Sequence, residues 1–250
     1  INRFSKTRLK FLYSEPSVLG ILCGLLVIIL LYYVFDNKKN YMLSKEIIIL
    51  AVIILLTFSM SGIVYTAVGI LVLFLFQVFK NKECIPRRML MYFLFGICLL
   101  IIILSTNNPI SNRFFSMFLG MDGSYNFRWS AAVNVFRKTM EITDYWGMGL
   151  GNMNTPSGLS FLLSIGIDYK FANSFLYFFT ENGMLGIIYT IYLFLICIYN
   201  CIKSSKNIRP LKVGVLAFAF VSQIAGGYYT DPILWIVYGI VCSNEKTVIN

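Results

Sequence analysis

"KEIIILAVIILLTFSMSGIVYTAVGILVLFLFQVF", residues 45–79, decides how this chain is organised. A helix crosses the roughly 30 Å hydrocarbon core in about 20 residues. The run is too long for one crossing and must reverse. "SMSG", Ser59 to Gly62, breaks the apolar pattern with small and hydroxylated residues that suit a tight turn. The reading is two helices, about 43–58 and 62–79. Working outward, apolar runs at 17–35, 89–105, 184–200, 212–228 and 233–249 bring the expected number of spans to seven.

Composition agrees. Hydrophobic residues make up 58% and charged residues 13%, against roughly 25% charged in soluble domains. Mean hydropathy is +0.75. Long unbroken runs exclude a barrel, whose strands alternate, and leave an all-α, polytopic helical membrane protein. The whole of 1–250 reads as one membrane-embedded domain, with 107–172 as a large extracytoplasmic loop. The chain begins "INRFSK", without Met or a signal peptide, and reads as the C-terminal part of a longer protein. The net charge of +10 does not point to nucleic acid, because the basic residues gather in short loops between spans. There is no His, which removes His-based catalysis and His–metal sites. Six cysteines fall mostly in or beside apolar runs and suggest neither a disulfide framework nor zinc.

Lys and Arg set the orientation. Lys38, Lys39 and Lys45 lie in one loop, Lys80, Lys82, Arg87 and Arg88 in a second, and Lys203, Lys206, Arg209 and Lys212 in a third. Seven spans place all three on the cytoplasmic side. The "SMSG" turn, the 107–172 loop and "YYTDP" (228–232) then face outward. Residues 1–16, with Arg3, Lys6, Arg8 and Lys10, oppose this bias and fit as the tail of a longer loop.

The outer loop carries its own pattern. Trp129, Ala132, Val133, Phe136 and Met140 recur at helical spacing and predict an amphipathic helix near the membrane surface. "GMGLG" follows, with Gly147, Gly149 and Gly151; such a run is either an anion-cradling loop or a plain turn. In "FANSFLYFFTENGMLG" (171–186), Asn173 and Thr180 are seven apart, as are Ser174 and Glu181, so on a helix they share a stripe. Gly183 suits a helix break before the next apolar run. The stripe either faces a hydrated substrate cavity or ends a helix at the headgroups.

Four stretches, in order, resemble the O-antigen ligase and polymerase superfamily (Wzy/WaaL-type), most of all its capsular and exopolysaccharide polymerases. They are "YSEPSVLG" (13–20), "LTFSMSGIV" (56–64), "RWSAAVNVF…YWGMGLGN" (128–152) and "FANSFLYFFTENGMLG". Two positions depart from the family pattern: Met60 stands where many members carry Arg, and Ala172 where many carry His. The resemblance implies a bacterial inner-membrane glycosyltransferase without a cofactor. Its substrate would be a glycan on undecaprenyl pyrophosphate, and its partners membrane lipid, a chain-length regulator and a flippase. Fixed cations would then stabilise the departing pyrophosphate. Arg128 is the leading ligand, since a guanidinium binds phosphate bidentately and keeps its charge; Arg113 and Arg137 follow. Glu15, Glu181 and Asp231 are candidates for activating the acceptor hydroxyl. Trp129, Gly147, Gly149, Gly151, Asn173, Ser174, Ser59 and Ser61 are candidates for lining the substrate site. Two alternatives are transfer of glycan to another acceptor, as in a ligase, and a transporter or flippase component. A transporter would more often show internal repeats and mid-membrane charges, whereas here the polar groups collect at one face.

Overall fold

The computed structural model describes residues 16–36, 42–80, 90–91, 94, 96, 98, 101–102, 105–106, 109–119, 128–164, 166, 173–226 and 229–243. Among them the regular structure is helical, with no strand. Helix α1 runs Pro16–Asp36, α2 Met42–Leu56, α3 Met60–Lys80, α4 Pro109–Phe118 and α5 Ser130–Ile142. A 3-10 turn, Asn152–Asn154, leads to α6, Pro156–Ser164. Then come α7, Ser174–Lys203, α8, Arg209–Ala225, and α9, Pro232–Cys242.

The run at 45–79 reverses as expected. Phe58 takes φ 48°, and the Ser59 hydroxyl accepts the Gly62 amide at 3.2 Å, capping α3. The Ser59 and Ser61 hydroxyls lie 3.0 Å apart. Met60, at the first position of α3, is buried.

Helices α1, α3 and α8 form the tightest part of the bundle. Lipid gives helices no hydrophobic reason to associate, so close packing through small residues carries the contact. A Cβ on Gly62 would lie 2.9 Å from the Gly20 carbonyl carbon, and one on Gly69 would lie 3.2 Å from the Gly214 oxygen. Leu25, Ile28, Leu73, Val215 and Phe218 fill the core around this seam.

Three described helices are long and apolar enough to cross a membrane: Pro16–Phe35, Met60–Phe79 and Ser174–Lys203. At 15, 17 and 11 residues, α2, α8 and α9 are shorter. Most of the expected span at 89–105 lies outside the described residues. The reversals still produce two faces. The 57–59 turn sits against Gly20 near the start of α1, and the Ser174 amide at the start of α7 reaches the Gly226 carbonyl just past α8. At the other end the Lys212 ammonium donates to the Ser243 carbonyl at 2.8 Å.

Helix α5 forms where periodicity placed it, but it is rotated. Its buried residues are Ala132, Val135, Thr139 and Met140, while Trp129 and Val133 are exposed. The buried face turns towards protein: Ala132 and Val135 pack with Met153, Leu162 and Tyr177. A face of Ala, Val and Thr with a single Met lets α5 lie along the first part of α7.

Helix α7 is two helices in series. Gly183 adopts φ 57°, ψ −142°, which breaks the helical path. Beyond it, Met184 to Lys203 supply twenty residues, about 30 Å of helix and so one bilayer core.

Candidate functional site

The stripe on α7 exists, and it points into the protein. Asn173, Ser174, Thr180 and Glu181 are all buried. Asn173 caps the helix by accepting the Leu176 amide at 3.0 Å and donates its amide to the Ile224 carbonyl at 2.7 Å. The Thr180 hydroxyl donates to the Leu176 carbonyl. Glu181 is 1% exposed. One carboxylate oxygen accepts the Met153 amide at 3.1 Å and the other accepts the Tyr229 hydroxyl at 2.9 Å. Burial pushes the Tyr229 phenol up to about 12, helped by its hydrogen bond to Glu181 and that carboxylate's charge. Tyr229 therefore stays a proton donor in neutral solution. Glu181 thus ties the 3-10 turn and the loop before α9 onto α7.

The glycine-rich loop docks beside it through backbone. The Met148 amide donates to the Thr180 carbonyl at 3.0 Å, Gly149 to the Glu181 carbonyl at 2.8 Å, and Met184 to the Tyr145 carbonyl at 2.9 Å. Gly147 donates to the Thr143 hydroxyl. The amides of Gly147, Met148 and Gly149 are therefore occupied by the protein's own acceptors and are not presented to an anion. Two glycines make the approach possible. Gly147 has φ 79°, and a Cβ there would meet the Glu181 carbonyl oxygen at 2.6 Å. Gly183 has φ 57°, and its Cβ would meet the Trp146 carbonyl carbon at 2.5 Å. Gly151 takes φ 76° with open space around it.

Glu181→Gln tests this latch. Glutamine can accept from only one of the two donors and turns its own NH2 on the other. One buried hydrogen bond is lost and a donor left unmet, a cost of about 1–3 kcal/mol. The expected result is faster proteolysis and hydrogen exchange across 143–154. Unchanged protection of that segment would show that Glu181 does not hold it.

A second constellation gathers around Gly226. A Cβ on Gly226 would lie 3.3 Å from the Arg128 terminal nitrogen Nη1 and 3.3 Å from the Tyr65 hydroxyl. Arg128 is half-buried two residues before α5, and among the described residues no carboxylate forms an ion pair with it. Gly226 also borders a narrow cleft with Ser174, Asp231, Ser222 and Gln223. Its enclosed space of about 20 Å³ is the size of one water position. The Ser174 hydroxyl is buried without a hydrogen-bond partner among the described residues. Asp231 caps α9: one carboxylate oxygen accepts the Ile233 amide at 3.0 Å. The other accepts nothing from a described residue.

The expected site residues thus divide. Arg128, Ser174 and Asp231 meet around Gly226. Glu181, Asn173, Gly147 and Gly149 build the frame beside them. Ser59 and Ser61 serve the turn packed on α1. Arg137 and Trp129 are exposed on α5. Glu15, Ala172 and the side chain of Arg113 lie outside the described residues. Tyr65, Tyr229 and Gly226 were not anticipated. The first is hidden in an apolar run, and the other two lie in the Gly-Gly-Tyr-Tyr stretch that precedes Asp231.

No curated protein and no solved structure matches the chain. A family model described as WcaD colanic acid polymerase matches residues 1–243. That match takes in every element above, from α1 through the Gly226 constellation to the end of α9. A bundle of helices long and apolar enough to cross a membrane accords with a membrane protein of that family. The chain belongs to the WcaD colanic acid polymerase family.

Proposed function

We propose that this chain joins oligosaccharide repeat units carried on undecaprenyl pyrophosphate, at the outer face of the membrane and without a metal ion. The observation that carries the reading is the Arg128 guanidinium beside Gly226, a residue that also lines the cleft with Asp231 and Ser174, with no ion-pairing carboxylate on Arg128 among the described residues. A half-buried cation without a carboxylate partner is a place for an anion. The Tyr65 hydroxyl beside it supplies a further donor.

In this reading the acceptor's hydroxyl oxygen bonds to the anomeric carbon at the reducing end of the donor glycan. The bond from that carbon to the pyrophosphate oxygen breaks, and the lipid pyrophosphate leaves with its new charge against Arg128. The hydroxyl proton passes to Asp231. Glu181 is the poorer candidate for this role, because both of its oxygens already hold protein donors. Ser174 offers the acceptor a buried hydrogen-bond partner. The basic loops support the outward orientation, since Lys203, Lys206 and Arg209 lie at the end of the bundle opposite this constellation.

Asp231→Asn separates chemistry from structure, because asparagine caps helices as well as aspartate does. The fold should hold while the basic oxygen is lost. Polymer formed by purified enzyme from one defined lipid-linked repeat unit should fall by about 100-fold, the scale of general-base catalysis. Near-normal polymer from the Asn variant would remove Asp231 from the chemistry.

A further inference from the structure

We infer that residues 145–150 form a membrane-interface anchor, with Tyr145, Trp146 and Leu150 seated in the headgroup and upper acyl region of the bilayer. These side chains are 60%, 72% and 68% exposed. Three large apolar groups so open within six residues need a cover, and the loop's attachment says what covers it. Tyr145 is hydrogen-bonded to Met184, and the Trp146 backbone lies against Gly183. Gly183 ends the short first segment of α7, and the twenty-residue apolar segment starts at the next residue. That segment turns Met184, Leu185, Ile188, Ile191 and Leu195 outward as bare apolar surface. In a membrane-spanning helix this surface meets lipid. The loop continues the same surface upward by one step, to the level where the acyl region gives way to headgroups. Indole and phenol rings prefer that level, with their apolar bodies in lipid and their polar tips in water.

The backbone supports the same conclusion independently. Asp144 and Tyr145 both lie in the left-handed region, at φ 47° and φ 66°. Two consecutive non-glycine residues there are unfavourable and persist only when something fixes them. Docking to α7 fixes the backbone, and the consequence is that Tyr145 and Trp146 project away from the protein. In solution this would expose apolar rings at a conformational cost. At a bilayer surface it gives the rings a favourable place. The anchor sets the height of the outer loop relative to the lipid, and with it the height of the Glu181 latch. This inference concerns placement in the membrane and stands apart from the sugar-transfer chemistry.

The test is quenching of Trp146 fluorescence in the full chain reconstituted into phosphatidylcholine vesicles, with Trp129→Phe and Trp235→Phe removing the other two indoles. Vesicles carrying bromines at the upper acyl carbons should at least halve the Trp146 emission relative to unbrominated lipid. Aqueous iodide should quench it weakly. Strong iodide quenching without bromine quenching would place Trp146 in water and overturn the anchor. Protection from both would show a protein cover, a second copy or another chain, and would overturn it equally. If the double replacement does not fold, Leu150→Cys carrying a bimane label in a cysteine-free background gives the same two-quencher readout. Loss of polymerase activity plays no part in either outcome, so failure of the anchor and failure of the proposed chemistry remain distinguishable.

Discussion

Arg128→Ala should abolish polymer while leaving lipid-linked single repeats to accumulate. The side chain is half-buried with no ion-pairing carboxylate among the described residues, so its removal unbinds no internal partner and the fold should survive. What disappears, on the proposed function, is the charge set against a leaving pyrophosphate. Fixed donors of this kind are worth about 100- to 1,000-fold in rate, enough to erase a ladder whose every rung needs another transfer. Arg128→Lys should restore part of the ladder, since an ammonium supplies charge without the two parallel hydrogen bonds of the guanidinium fork. Arg137→Ala is the control, because Arg137 is exposed on α5, and it should leave the ladder near normal. The measurement is a gel of lipid-linked glycans from cells with matched protein levels. A normal ladder from Arg128→Ala, or greater damage from Arg137→Ala, would move the anion site elsewhere.

Gly183→Val should be as severe for a different reason. Gly183 sits at φ 57°, and any Cβ there would collide with the backbone of Tyr145 and Trp146. Neither neighbour is the yielding tip of a long side chain, so the docked segments must separate. Separation breaks the Met184–Tyr145, Met148–Thr180 and Gly149–Glu181 backbone bonds together. A β-branched residue at positive φ plus a forced shift in packing costs about 3 kcal/mol or more. The expected outcome is rapid cleavage of the outer loop by added protease, loss of polymer, and an intact seam of α1, α3 and α8. Gly183→Ala should be milder in strain and similar in direction. A Val variant whose loop resists protease like the parent's would mean that the close approach at Gly183 is not required.

The sequence made some of this legible and hid the rest for physical reasons. Hydrophobic runs report lipid contact directly, so α1, the reversal after α2 and the long segment of α7 fell near their expected limits. Gly183 was readable as a break because an apolar helix gains nothing from glycine and asparagine at that point. Helix α5 was readable as a helix, but its buried face only in part. Ala132 and Met140 of the expected stripe are buried, but packing on α7 took Val135 and Thr139 in place of Trp129 and Val133. The glycine-rich loop misled in the same way. Gly147 and Gly149 suggest amides free for a phosphate, and only tertiary structure shows those amides bonded to Thr143 and α7. The stripe of Ser174 and Glu181 followed from spacing, but whether it faced water or protein depended on Met153 and Tyr229, which come from distant parts of the chain. Tyr65 lay in a span where one more aromatic carries no signal.

Because the outer loop is held to α7 largely by main-chain atoms, its identity and its attachment are uncoupled. The three docking bonds name no side chain, and the glycines that admit them carry none. The exposed positions between and beyond those glycines are therefore free to diversify without loosening the frame.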